Sequence, residues 1–576
     1  MEFRDYNSKE LENALLDGLN ATEEMLAKWE KDDYLMDSDV VSKVWRYINN
    51  APAVVVFGDY DADGINGLYI MGKGIKAVCP DKKLILRAPK RFSEGYGITM
   101  KAAEELNAKI PKGSLIITVD NGIAAAEVLE WLEAQGHTVI VTDHHDFEVK
   151  EGKHIPNITM VLDPAVPETS LGFSYKKWCG AAIAFKLCEQ LISDELKKEL
   201  EVFAGVATVA DCVELKEGNW GLVRRAITAI REGKAPNSLN AIMIAMKQNP
   251  MVADEDTIGY YIGPCFNAAG RLEDSGASEV LKYLFSPTED KLEHLISMNT
   301  KRKAYSEEEY ARVRDTIHAQ SKENACPIWV YVPELHEGLV GILAGRAVEE
   351  FKVPAIVVTD SAKSPGMYKG SGRSVDGFHL FNFVNEFSED FEKMGGHAGA
   401  IGLTISPEGL ERASKHQILK SELQSVIEES NSYHIEPYMI PEINRILYKY
   451  KPYGEGNKAP VFSLDIDRVK EGAKMFKNKS DEANPDVSQV REHLIINGYT
   501  EGGEHYQITH WNHTPNDLEN QKVFGLSGKI FSSSYGGEEI PTFNADETYD
   551  IVRNARDKDV RTTEYDPREE EIGKGK

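Results

Sequence analysis

Apolar residues recur at roughly helical spacing through the first fifty positions, at Leu11, Leu15, Leu19, Met25, Leu26 and Trp29. That periodicity predicts a helical segment over 1–50 with one apolar face, acting as a lid or packing element. From Ala53 the pattern changes to short β-branched runs at 54–57, 84–86, 115–117, 138–141 and 160–162, each followed by a loop and a helix-like stretch. Apolar strands alternating with helices predict a parallel sheet covered on both faces, an α/β lobe over 51–280. Over 281–325 the sequence turns charged and helical, and Leu292, Leu295, Met298, Tyr310, Val313 and Ile317 form a candidate buried stripe. A long helix linking two lobes fits that stretch.

A second, smaller α/β lobe is expected over 326–452, with strand-like runs at 328–332 and 355–358 and a glycine-rich region around 395–402. Past Pro452 come short strands at 461–464, 493–496, 506–509 and 523–526, separated by Gly and Asn turns. That pattern predicts a small β-barrel over 453–550. Residues 551–576 are dense in charge and have nothing to bury, so a disordered tail is expected.

Length and composition agree with several domains: 576 residues, 41% of them hydrophobic, suffice for three or four cores. A formal charge of −27, from 93 acidic and 66 basic side chains, argues against a protein that coats nucleic acid nonspecifically. Any contact with nucleic acid must come from a local basic track or a metal site on an acidic body. Cys79, Cys179, Cys188, Cys212, Cys265 and Cys326 include no CxxC pair and no metal-type spacing, so they read as reduced and mostly buried thiols. The N-terminus lacks a signal-type apolar core and no run of eighteen apolar residues occurs, which predicts a soluble, cytoplasmic protein with no membrane partner.

In parallel sheets ligands gather beyond the carboxyl ends of the strands, and here those ends are acidic. The first run leads into Gly58-Asp59-Tyr60-Asp61-Ala62-Asp63-Gly64, with three carboxylates at alternate positions where a strand meets a helix. Others end in Val119-Asp120-Asn121-Gly122 and in Thr142-Asp143-His144-His145-Asp146, and an apolar run at 207–210 is followed by Asp211 and Cys212. Carboxylates suit Mg²⁺ or Mn²⁺, and carboxylate with imidazole favours Mn²⁺ or a similar ion. An acidic surface loop capping a helix would explain the first motif alone. It does not explain four acidic motifs and a histidine pair at one sheet edge, because uncompensated carboxylates gathered there cost stability.

The ordered set DYDADG, VDNG, TDHHD and VADC resembles the metal-binding motifs of the DHH phosphoesterases. Later motifs, Arg91-Phe92-Ser93-Glu94-Gly95-Tyr96-Gly97, Asn267-Ala268-Ala269-Gly270-Arg271, Gly370-Ser371-Gly372-Arg373-Ser374, Gly395-Gly396-His397 and Pro452-Tyr453-Gly454-Glu455-Gly456-Asn457, are similar to the RecJ-like branch of single-stranded-DNA-specific exonucleases. The resemblance covers roughly residues 50–530. It implies a DHH lobe joined by a helix to a DHH-associated lobe and then an OB-like barrel, a fold that binds single strands by stacking and a basic groove.

The resemblance also implies Asp61, Asp63, Asp120, His144 and Asp211 as ligands of two Mn²⁺ or Mg²⁺ ions, with Asp120 the bridge. His145 matches the group that contacts the scissile phosphate. Ser371, Arg373 and Arg91 are implied to hold the 5′ end across a cleft, with Arg271 and His397 nearer the reacting phosphate. In Gly-Ser-Gly-Arg-Ser the glycines are expected to let backbone amides approach an anion while Arg373 offers a bidentate fork. Some relatives carry a histidine where this chain has Phe57, which cannot ligate a metal; Asp59 or water is expected to fill that gap.

The function implied is 5′-to-3′ hydrolysis of single-stranded DNA in repair, recombination or replication by a monomer, with a single-strand-binding protein or a helicase as partner. Two rivals stand beside it. An oligonucleotide or cyclic-dinucleotide phosphodiesterase of the same superfamily is generally built without a following barrel, which disfavours it. A non-catalytic replication scaffold would have lost the carboxylates and histidines that are present here.

Overall fold

The computed structural model describes residues 4–31, 34–147, 149, 153–170, 172–322, 325–375, 377–419, 423, 432–465, 474–479, 492–499, 505–510, 523–535 and 538–549. The chain divides into two compact units, one made of Met1–Ile296 with Ser430–Lys576, the other of Ser297–Glu429.

The first unit is built on a five-stranded sheet, ordered Leu84–Arg87, Val54–Phe57, Leu115–Val119, Thr138–Thr142, Met160–Leu162. Every pairing in it is parallel, as the unbroken apolar runs predict. Val54 and Val56 pack into the cluster shared with helices Ala62–Val78 and Gly180–Cys188. Val55 and Phe57 face the opposite side, with Leu106, Leu129 and Leu132. From Val54–Phe57 the chain goes outward to Leu84–Arg87 and then crosses back to Leu115–Val119. The order therefore reverses between Val54–Phe57 and Leu115–Val119, and the crevice at such a switch point is where α/β sheets place ligands.

An eight-stranded sheet belongs to the same unit, in the order Arg4–Asp5, Ser432–Ile435, Val461–Asp465, Val523–Tyr535, Glu538–Tyr549, His505–His510, Glu492–Tyr499, Lys474–Lys479. It occupies the region where the sequence predicts a barrel, but two of its strands come from outside 453–550. Arg4–Asp5 and Ser432–Ile435 pair parallel, and Ser432–Ile435 pairs parallel with Val461–Asp465. The N-terminal segment is a packing element: Leu11, Leu15, Leu19, Leu26 and Trp29 join Trp220, Tyr450, Tyr453, Phe462 and Tyr506 in one core. Helix Ser38–Asn50 instead buries Val44, Trp45 and Ile48 in the core of the parallel sheet. The 551–576 tail lies outside the described residues.

The chain passes between the units within helix Glu289–Ala319. This is shorter than the 281–325 expected of the link, because a separate helix, Gly276–Phe285, ends just before Ser286 and Pro287. Leu295 and Met298 are buried, as are Tyr310, Val313 and Ile317. Leu295 belongs to the first unit's core and the last three to the second's. The second unit carries a mixed sheet ordered Phe391–His397, Ala400–Ile405, Tyr368–Arg373, Ala355–Asp360, Ile328–Tyr331. It closes by residue 429 rather than at 452, since the chain beyond enters the first unit's eight-stranded sheet. Among the described residues no helix is long and apolar enough to cross a membrane.

Candidate metal centre and phosphate pocket

The turn after Val54–Phe57 is shaped by its own carboxylates. Asp61 caps helix Ala62–Val78, its Oδ1 accepting from the Asp63 and Gly64 amides at 3.1 Å each. Ala62 N donates instead to Asn267 Oδ1 at 2.8 Å, so the Asn-Ala-Ala-Gly-Arg motif, on helix Gly263–Leu272, grips the same turn from a distant part of the chain. Asp63 is buried and accepts from Gly180 N at 2.6 Å and Ala181 N at 2.8 Å, the first amides of helix Gly180–Cys188. Two amides and the positive end of a helix are a suitable seat for a carboxylate. Position 180 must be glycine for a further reason: a Cβ there would lie 2.5 Å from Asp120 Cβ.

Asp120 follows Leu115–Val119 with a left-handed φ of 61°, and the charge of Asp63 acts on its carboxyl. His144, after Thr138–Thr142, lies at the centre of the cluster. Its Nε2 is 3.1 Å from Asp120 Oδ1, 3.5 Å from Asp211 Oδ2 and 3.6 Å from Asp63 Oδ2. Three overlapping sets have ligand atoms within 4.8 Å of one another: Asp63, His144 and Asp211; Asp59, Asp61 and Asp120; Asp120, His144 and His145. Asp120 and His144 each belong to two of them. The donor set fits a divalent cation chemically, and Asp59 points the same way, being buried with an Oδ1 that has no hydrogen-bond partner among the described residues. Phe57 is buried on the far face of the sheet under the Arg87 guanidinium, 5.7 Å from its ring centre, so it contributes no ligand.

His145 is held differently. Its Nδ1 is 2.7 Å from Asp143 Oδ1, while Asp143 Oδ2 accepts from Ile123 N at 2.9 Å, so a buried carboxylate fixes the imidazole. The Tyr96 hydroxyl reaches the other ring nitrogen at 3.2 Å and the Asp120 carbonyl at 3.4 Å. The Arg91 guanidinium lies 4.6 Å above the Tyr60 ring, and the charge of Arg271 is felt at the Tyr60 phenol, so both arginines flank the first acidic turn. Asp274 accepts from the Phe92 and Ser93 amides and the Ser93 hydroxyl, which fastens the Arg-Phe-Ser-Glu-Gly-Tyr-Gly loop in place.

In the second unit Ser371 and Arg373 stand on Tyr368–Arg373, a central strand rather than a turn. This corrects the expectation that its backbone amides face an anion, because the strand is laddered on both sides, to Ala355–Asp360 and to Ala400–Ile405. Gly370 and Gly372 lie where a side chain would strike Leu403 and Ile401, leaving Ser371 and Arg373 on the opposite face. Arg373 Nη1 donates to Ser371 Oγ at 3.0 Å, and Gly341, in the first turn of helix Val340–Phe351, comes so close that a Cβ there would meet Nη2 at 2.9 Å. Arg373, Ala400 and His397 share a register row across the sheet. The His397 side chain lies outside the described residues.

The model of the DHH family, N-terminal domain, matches residues 53–213, and that of the DHHA1 domain matches residues 327–421. The chain therefore carries a DHH domain and a DHHA1 domain.

Single-stranded-DNA-specific exonuclease RecJ of Salmonella typhimurium is 29% identical over 397 residues, covering 65% of this chain and 67% of that protein. RecJ of Thermus thermophilus is 30% identical over 421 residues, covering 71% and 58%. The chain spans between 46% and 67% of the length of the bacterial RecJ relatives it matches. The crystal structure of the Thermus thermophilus RecJ in complex with Mn²⁺ superposes with a TM-score of 0.67 at 22% identity, over 96% of this chain and 79% of that one, and so has the same fold.

Electrostatics in the DHH domain follow from gathering acids in a low dielectric. Burial, then the charges of Asp63, Asp61, Asp211 and Asp59, push the Asp120 carboxyl well above the usual range. Burial and the charge of Asp61 do the same to Asp59, and burial with Asp63 and Asp61 to Asp211. Burial and the neighbouring His145 lower His144. Desolvation works against a charged His145, but the Asp143 hydrogen bond and charge outweigh it and raise that histidine to about 10.

Sequence reasoning names Asp143, Tyr96 and Asn267 within motifs without giving them a role, and it misses Asp163. Asp163 follows Met160–Leu162, is fully buried, and has an Oδ2 without a hydrogen-bond partner among the described residues. Burial and the Asp143 charge raise it to about 7. The signal for it was available, since it is the acid after a fifth strand.

Proposed function

We propose that the chain hydrolyses single-stranded DNA from its 5′ end with two Mn²⁺ or Mg²⁺ ions. The observation that carries this reading is the convergence of Asp59, Asp61, Asp63, Asp120, His144 and Asp211 at the switch point of the sheet, where Asp59 keeps a buried oxygen with no hydrogen-bond partner among the described residues. Asp63, His144 and Asp211 would hold one ion, Asp59 and Asp61 the other, and Asp120 would touch both. Bound there, divalent ions would supply Lewis acidity to activate water and offset charge at the phosphate.

The chain's own groups do the rest. His145, held by Asp143 and reached by Tyr96, donates a hydrogen bond to the scissile phosphate. Arg91 and Arg271 steady the adjoining backbone. In the DHHA1 domain, Ser371 and Arg373 bind the 5′-terminal phosphate, a role suited to an arginine fork beside a helix N-terminus. The eight-stranded sheet after the two domains supports a polymer substrate over a dinucleotide. Tyr506 is buried in that sheet's core and is no stacking platform. We further place the enzyme in the cytoplasm as a monomer, receiving strands from a helicase or a single-strand-binding protein.

The test is digestion of 5′- and 3′-labelled single strands, a single-stranded circle and a blunt duplex, with Mn²⁺, with Mg²⁺ and with chelator. Release from the 5′ label alone, dependent on metal, is expected. Cutting of the circle, or metal-independent cutting, would overturn the proposal, and stalling at dinucleotides only would assign the chain to short oligonucleotides.

A further inference from the structure

The Lys-Pro-Tyr-Gly-Glu-Gly-Asn segment, 451–457, stands out in the sequence, yet none of its side chains is among those gathered around His144. Its contacts show where it acts. Glu455 O accepts from Leu215 N at 2.7 Å, and Gly456, at a φ of 72°, sits so close to Glu214 that a Cβ would lie 2.2 Å from its Cγ. Glu214 and Leu215 belong to the short turn that begins at Asp211, between helices Asp194–Ala210 and Glu217–Arg231.

Asp211 ends its helix, and the next residue, Cys212, is left-handed at a φ of 56°, so the turn leaves the helix axis at once. Among the described residues, Asn219 Nδ2, which donates to Glu214 O at 3.0 Å, and Glu455 O hold the turn by hydrogen bonds, beside the packing of Leu215 in the core. The segment that carries Glu455 is itself rigid. Asn457 is buried and donates to Tyr450 O at 3.1 Å and Pro452 O at 2.7 Å, Tyr453 N donates to Glu255 Oε1 at 3.0 Å, and Lys451 Nζ pairs with Asp254 at 3.3 Å.

We propose that Tyr453–Asn457 is a positioning element for the Asp211 carboxylate, setting from more than two hundred residues away how well the metal centre is formed. The inference rests on the reading that Asp211 holds a metal ion. Supports one layer outside the ligands commonly change metal affinity by about 10- to 100-fold when removed.

The experiment is Mn²⁺ binding by calorimetry on the full chain, beside unfolding of the chelated protein and activity titrated with Mn²⁺. Gly456→Ala should push Glu214 and its turn aside, raising the Mn²⁺ dissociation constant about tenfold. Activity lost at low Mn²⁺ should return in excess. Glu214→Ala added to Gly456→Ala removes the clashing side chain and should restore part of the affinity, the left-handed strain at position 456 remaining. Gly454→Ala, whose methyl meets only the end of Leu215 at 2.8 Å, is the milder variant should Gly456→Ala fail to fold, and should give a smaller rise. Folded variants with wild-type affinity, or a double variant as weak as Gly456→Ala, would overturn the proposal. Asp211→Asn separates the two readings. If it leaves Mn²⁺ affinity unchanged, Asp211 is no ligand and both fail; if it weakens binding while the glycine variants do not, only the positioning role fails.

Discussion

Asp163→Asn should make the metal-free protein relatively more stable as pH rises, and the size of the change follows from the site. Asp163 Oδ1 accepts from Ala165 N at 2.9 Å, a bond that asparagine keeps, while Oδ2 is buried without a partner. Burial first, then the Asp143 charge, raise the carboxyl to about 7, against the Ala165 amide and the His145 charge. Unfolded, the same group titrates near 4. The folded state therefore holds the proton more tightly, so its contribution to stability is complete below pH ~4 and disappears as pH rises through about 7. Between pH 5 and 8 that loss is roughly 2–3 kcal/mol for wild type, and nothing for a side chain that cannot ionise. The amide nitrogen placed at the Oδ2 position costs about 1–3 kcal/mol, equally at both pH values, and so drops out of the comparison. Urea unfolding of chelated wild type and Asp163→Asn at pH 5 and pH 8 reads the difference directly. The variant should gain on wild type by roughly 2–3 kcal/mol between the two. An unchanged difference would refute the reasoning, showing that Asp163 stays charged or finds a partner.

Asp120→Asn is preferable to alanine because asparagine tolerates the left-handed φ at that position, and it should abolish cleavage together with Mn²⁺ content while the fold persists. A metal-free variant that still cuts would end the metal mechanism. His145→Ala should slow the chemical step far more than it weakens Mn²⁺ binding; full recovery of rate at saturating Mn²⁺ would instead make His145 a ligand. Arg373→Ala should remove a charge-assisted bond of about 1.5–3 kcal/mol, weakening cutting of 5′-phosphorylated strands roughly ten- to a hundredfold and 5′-hydroxyl strands much less. Equal losses on both substrates would make Arg373 a general backbone contact.

The parallel sheet and its acidic edge were readable because both features are local. Val54–Phe57 and Leu115–Val119 are unbroken apolar runs, and the residues that follow each of them are carboxylates. Strand Tyr368–Arg373 was hidden by its glycines, which are poor strand formers and are tolerated here because Leu403 and Ile401 leave no room for more. Arg4–Asp5 is too short to have a period at all. Asn267 at the Ala62 amide, Asp143 behind His145 and Glu455 at Leu215 were illegible for another reason, since each is a tertiary bond whose donor and acceptor say nothing of one another in sequence.

The first unit is written in two stretches of chain with the second between them, and this sets an order on biosynthesis. While the ribosome is still short of residue 430, Leu11, Leu15, Trp29 and Trp220 have yet to meet Tyr433, Ile443, Leu447 and Tyr450, the residues that later share their core. The intervening unit has all of its own core by then and can finish first. A nascent chain paused there, or a fragment ending near 429, carries an uncovered apolar face and should be a substrate for holding chaperones.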